Sequence, residues 1–183
     1  MAIGLALLIQ AFVIKPYQIP SGSMEPTLDI GQRVLVDRVN YHLSDPDVGD
    51  IVVFHPPAGA TSGGQECGVD HSPREPCPKG TSEPSDENFI KRIVAGPGDR
   101  LRVVNGHPVV NGKMAHEDFI RPCRDFSECN LPQEITIPPG EYFMMGDNRG
   151  FSDDSRSWGP VPRDWIIGQA FVTYWPPDRI GLL

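Results

Sequence analysis

The stretch "NFIKRIVAGPGDRLRVVNGHPVVNGK", Asn88 to Lys113, decides the fold. Its first eight residues are rich in β-branched and aromatic side chains and stop at Gly96-Pro97-Gly98-Asp99, a turn by composition. Two Asn-Gly pairs, Asn105-Gly106 and Asn111-Gly112, then flank the runs RLRVV and HPVV, which is a strong hairpin signal. One residue is out of character. Lys91 interrupts Phe89, Ile90, Ile93 and Val94, and strand alternation turns Lys91 and Arg92 to opposite faces. One of the two cations therefore faces inward, where desolvation disfavours an ammonium ion. An edge-strand lysine that discourages aggregation is the plainer reading of the same pattern.

Outward from this stretch the chain keeps reading as strands. "RVLVDRV" (Arg33 to Val39) and "DIVVFH" (Asp50 to His55) precede it; "EITIPPGEYFMMGDN" and "AFVTYW" (Ala170 to Trp175) come after it. Residues 56–87 lose all periodicity and read as a surface insertion. A second polar stretch covers 113–134. Nineteen glycines and 20 prolines in 183 residues suit a turn-rich, mostly β protein of one domain carrying an insertion. The net charge of −8 and the lack of a basic stripe argue against a nucleic-acid partner.

The opening "MAIGLALLIQAFVI" is apolar apart from Gln10. A helical span needs roughly 20 residues, so residues 1–15 read as the C-terminal half of a membrane anchor, with Tyr17 near the interface. A cleavable signal peptide fits less well, because no basic segment precedes the run and Lys15-Pro16-Tyr17-Gln18 is no small-residue cleavage site. A buried soluble helix is the third reading.

The four cysteines form two close pairs, Cys67/Cys77 and Cys123/Cys129, neither with zinc-ribbon spacing. Three disulfide connectivities are open. The local one is favoured and would suit an oxidising compartment; zinc held by Cys67, Cys77 and His71 is the alternative.

"PSGSMEPT", Pro20 to Thr27, offers two hydroxyls, Ser21 and Ser23, and a serine needs a base before it can attack. Five histidines exist, His42, His55, His71, His107 and His116, but none sits in a recognisable catalytic setting. The G-x-S-x-G elbow and the S-x-x-K run are both absent. A neutral lysine can serve instead, and Lys91 has the apolar surroundings to be one. The remaining polar concentration, "MGDNRGFSDDSRSWGPVP" (Met145 to Pro162), reads as a packed loop flanked by Met144, Met145 and Trp158.

Taken together, "IPSGSMEPTL", "GDIVVF", "FIKRIVAGPGD" and "MGDNRGFSDDSRSWG" resemble the type I signal peptidases, membrane-bound Ser–Lys endopeptidases, in that family's order. The resemblance implies an antiparallel β-sheet catalytic core over 16–105 and 135–183. It also implies a smaller inserted β region over 106–134, an N-terminal membrane-anchor helix, and no cofactor or metal. It makes Ser23 the nucleophile and Lys91 its general base, with Ser152 orienting the lysine amine. Ser21 and the Ser23 amide would form the oxyanion hole. Asp154 and Arg156 would pair, Asp147 and Asn148 would brace the loop, and Ile19, Pro20, Met24, Leu28, Phe89 and Ile90 would line small substrate pockets. The implied substrates are signal peptides of exported preproteins, cut after small residues (A-x-A type) outside the cytoplasm at the cell membrane. Gln32, where an acidic residue is common, and Gly150-Phe151, in place of a more polar pair, depart from the pattern. A self-cleaving repressor would share the dyad, but the 22 residues before Ser23 are too few and too greasy for a DNA-binding domain. An inactive extracytoplasmic β module is the rival from another class.

Overall fold

Strand-forming runs cut by glycine and proline become a chain of short strands in the computed structural model, which describes residues 13–60, 67–124 and 129–183. In chain order they are β1 (Ile14–Gln18), β2 (Arg33–Asp37), β3 (Ile51–Phe54), β4 (Phe89–Ala95), β5 (Arg100–Val104), β6 (His107–Val110), β7 (Lys113–Met114), β8 (Leu131–Thr136), β9 (Glu141–Met145), β10 (Val161–Pro162), β11 (Ile166–Trp175) and β12 (Gly181–Leu182). Among the described residues helix is limited to single turns, including α1 (Asn40–Leu43) and α2 (Ser155–Trp158). The mostly β class is thereby met.

The large sheet runs β1-β2-β11-β3-β4-β9-β10, with β12 added to β11, and its pairings are antiparallel. The small sheet runs β7-β6-β5-β8. Both Asn-Gly pairs turn with positive φ at each residue, at 53° and 84° for Asn105-Gly106 and 51° and 80° for Asn111-Gly112. That is the backbone a tight hairpin needs, and Asn and Gly tolerate it best. Val94 and Ala95 of β4 and Phe143 and Met145 of β9 pack with Leu101, Val103 and Ile135 of the small sheet, so the two sheets share a core.

Two element boundaries differ from those expected, and one segment is more deeply packed. The small sheet starts at Arg100 rather than 106, because β5 pairs with β6 across the Asn105-Gly106 turn and with β8, and not with the large sheet. Residues 1–12 of the expected anchor lie outside the described residues; Ile14 and Lys15, at its end, belong to β1 and pair with Asp37 and Val36. Among the described residues no helix is long and apolar enough to cross a membrane. The 56–87 segment is more than a surface excursion: Ala60 and Cys77 are buried, and Cys77 N–H donates to Arg156 O at 3.0 Å.

Candidate active site

Ser23 sits in a single 3₁₀ turn, Gly22–Met24, entered from Ser21 in extended conformation. Apolar residues beneath the turn anchor it: Met24 and Leu28 are fully buried with Ile19, Val34 and Val36. Asn148 clamps it from the other side, its backbone N–H donating to Ser23 O (3.0 Å) and its Nδ2 to Gly22 O (2.9 Å). Ser23 is thereby buried, 6% exposed, with its hydroxyl fixed in direction.

β4 delivers the lysine. Lys91 Nζ and Ser23 Oγ are 2.7 Å apart across 68 positions of sequence, and Lys91 is 4% exposed. Burial pulls the Lys91 ammonium down from its ordinary 10.5 to about 8, against the opposing pull of the Asp154 and Asp153 carboxylates. No bulk solvent competes for that amine. Ser21 Oγ lies 3.4 Å from Ser23 Oγ, a long contact on the solvent side of the turn.

Arg92, the next residue, points the other way and grips Asp147 with two charge-assisted bonds, Nε to Oδ1 at 2.9 Å and Nη2 to Oδ2 at 2.7 Å. It is therefore not an outward-facing cation: Thr27 Oγ1 also donates to Asp147, and the Phe119 ring covers the guanidinium at 4.3 Å. Adjacent residues of one strand thus seize both the serine turn and the Asp147 loop.

That loop, Gly146 to Gly159, is held from within by Asp154. Its carboxylate caps α2, accepts from Gly146 N–H (3.0 Å) and pairs with Arg156 (Nε to Oδ1, 2.7 Å). Burial pushes the Asp154 carboxyl up, but the Arg156 guanidinium, the Gly146 N–H and Lys91 together outweigh it and hold the group below the ordinary carboxylate range. Arg156 in turn donates to Arg149 O (2.8 Å) and Ser152 O (3.0 Å). Ser155 Oγ accepts from Met144 N–H at 2.9 Å, tying α2 to β9.

Two placements differ from expectation. Ser152 Oγ is buried beside Gly146 but has no hydrogen-bond partner among the described residues, so it does not bond to Lys91. Met24 and Leu28 are core residues with no exposed surface, because the 3₁₀ turn needs an apolar footing. A groove of about 300 Å³ is instead lined by Tyr17 to Pro20 on one side and Glu87 to Ile90 on the other, which retains Ile19, Pro20, Phe89 and Ile90. Gln32 is buried; its side chain accepts from Asp29 N–H and donates to Thr173 Oγ1, a neutral use of a position where a carboxylate would need a cation. Cys67 is bonded to Cys77 and Cys123 to Cys129, which leaves no thiolate for the zinc alternative.

Sequence reasoning missed Arg149. It is 1% exposed, donates to Gly146 O (3.0 Å) and Gly106 O, and forms a two-bond pair with Glu117 at 2.8 and 2.6 Å. Its position inside the G-D-N-R run was the one available signal; nothing in the polar stretch marked Glu117 as its partner.

The family model for signal peptidase, peptidase S26, matches residues 1–175. The chain is 38% identical over its full length to a probable signal peptidase I-2 of Synechocystis sp., covering 72% of that protein. It is 40% identical to a probable signal peptidase I-1 of the same organism, covering 82%. A probable thylakoidal processing peptidase 2 of Arabidopsis thaliana is 36% identical over 98% of this chain, which covers 43% of that protein. Among solved structures, a signal peptidase I of Enterococcus faecalis aligns with 69% of this chain and 97% of its own, at 23% identity and a TM-score of 0.41. A match across nearly the whole chain, together with full-length relatives, settles its membership: the chain belongs to the signal peptidase family, peptidase S26.

Proposed function

We propose that this chain is a membrane-bound serine endopeptidase that removes N-terminal signal peptides with a Ser23–Lys91 dyad. The observation that carries the reading is a buried amine 2.7 Å from a buried serine hydroxyl, with burial lowering the lysine to about 8. A lysine so placed is a usable base near neutral pH, and among the described residues no histidine hydrogen-bonds to Ser23.

Neutral Lys91 takes the Ser23 proton as Oγ bonds to the scissile carbonyl carbon, and the carbonyl oxygen becomes an oxyanion. The Ser23 amide and the Ser21 hydroxyl are the donors nearest to it; donors of this kind are each worth about 3–4 kcal/mol. As the C–N bond breaks, protonated Lys91 gives its proton to the leaving nitrogen. A water then loses a proton to Lys91, attacks the acyl carbon, and Ser23 recovers its proton on leaving. Ser152 would orient Lys91 during turnover; its buried, unpartnered hydroxyl beside Gly146 supports that assignment.

The substrate's residues before the cut would enter the groove between Tyr17–Pro20 and Glu87–Ile90 as an added strand, with small side chains at alternate positions. The apolar run before Val13 would be the C-terminal part of a single-pass anchor, with the sheets on the extracytoplasmic side, where two disulfides are at home. No cofactor is invoked. Incubating the detergent-solubilised enzyme with a secretory precursor tests the dyad. Ser23→Ala and Lys91→Ala are each expected to abolish cleavage while cooperative melting is retained; cleavage retained by Lys91→Ala would overturn it.

A further inference from the structure

A second cavity, beside the serine turn, has no part in that scheme. It holds about 530 Å³ and begins at Gly22 and Asn148, the two residues bonded to each other across the serine turn. The groove assigned to the signal peptide ends at Pro20, on the other side of the serine turn in sequence. A peptide laid in that groove and crossing Ser23 emerges over Gly22, at the mouth of this second cavity. The two spaces thus flank Ser23 in sequence, one lined by Pro20 and the other by Gly22.

The walls are built rather than incidental. Arg121 is fixed to the catalytic loop through its backbone, its N–H donating to Asp147 O (2.8 Å) and its O accepting from Arg149 N–H (2.9 Å). Its guanidinium pairs with Glu25 at 2.6 Å, and the Glu25 carboxylate lies against Gly22. Arg124 adds a second cation, and Phe151, 69% exposed, is also among the lining residues. Among the described lining residues, two guanidinium groups face one carboxylate in a chain whose net charge is −8.

We infer that this cavity holds the first residues of the released chain and favours an acidic side chain among them, with Arg121 and Arg124 as the selecting residues. An acidic side chain meets an excess of cationic donors there, whereas a lysine must compete with Arg121 for Glu25. The inference rests on the dyad reading, since it takes Ser23 as the point of cutting.

Two peptides identical through the cut bond, with Asp or Lys at the second position after it, test the idea. The ratio of their kcat/KM values is expected to be roughly fivefold in favour of Asp at low salt, the upper end for a partly exposed ion pair, and to shrink with added salt. Arg121→Gln/Arg124→Gln is expected to bring the ratio near one, and the single change Arg124→Gln, at an exposed position, partway. A ratio near one in the unmodified enzyme overturns the inference, as does a ratio that survives the double change. A third peptide, ending in a small amide just after the cut, separates the two levels. Its cleavage by the unmodified enzyme but by neither Ser23→Ala nor Lys91→Ala sustains the dyad whichever way the ratio falls.

Discussion

The acid limb of the rate profile is where the lysine assignment is most exposed to measurement. With Lys91 lowered to about 8, roughly one molecule in eleven carries a neutral amine at pH 7; at the ordinary 10.5 it would be roughly one in three thousand. Burial therefore raises the reactive fraction by a factor of nearly 300. kcat/KM tracks the ionisation of the free enzyme, so it is expected to rise tenfold per pH unit below about 7, reach half its plateau near pH 8 and level off above. Asp153→Asn adds a directional check. Asp153 is an exposed carboxylate that holds the Lys91 ammonium up, so removing it should move the half-point to lower pH. Initial rates on a short peptide between pH 5.5 and 10 read both. A half-point at or above 10, or a flat profile across that range, would refute the burial argument; a shift to higher pH in Asp153→Asn would refute the electrostatic part.

Three further outcomes rest on the same geometry. Lys91→Met is expected to lose activity yet gain about 3 kcal/mol of stability at pH 7, because burial disfavours the ammonium ion in the folded chain, read in urea midpoints. The sign comes from the lowered folded-state value: the unfolded chain binds more protons between about 8 and 10.5, so the unmodified enzyme regains that stability as pH rises through this window, and the gain from Met fades. Asp154→Ala strands Arg156 in the interior and is expected to cost about 3–5 kcal/mol, lowering the melting temperature by well over the scatter of surface variants. Ser152→Ala should depress turnover with little change in melting, because its hydroxyl has no folded-state bond to lose; an unchanged turnover would remove Ser152 from the dyad.

Periodicity and turn chemistry made the sheet legible. Phe89 to Ala95 reads as a strand because its side chains pack on both faces, and Asn105-Gly106 reads as a turn because few other pairs take its backbone angles. The serine–lysine contact was not legible from spacing, since 68 positions separate the two; only the resemblance joined them. Pairing partners were also silent. β5 looks the same in sequence whether it extends the large sheet or starts the small one, and hydrogen-bond accounting alone decides between them. Met24 and Leu28 show the converse failure: apolar residues beside a nucleophile look like pocket walls, but the turn that fixes Ser23 needs them beneath it.

The buried guanidinium of Arg149 bears on any attempt to shorten this protein. A designer who pruned the chain to its large sheet would discard Glu117 and the Gly106 carbonyl, both supplied by the small-sheet hairpin region. The cation would remain under the loop that carries Asp147 and Asn148, now without its anion, and an uncompensated interior charge of this sort costs about 3–5 kcal/mol. The relief available is for the loop to swing Arg149 toward water, which would drag Asn148 away from Ser23 O. The smaller sheet is thus a keystone for the nucleophile, and a minimal enzyme must keep it or exchange Arg149 for an apolar residue of similar volume.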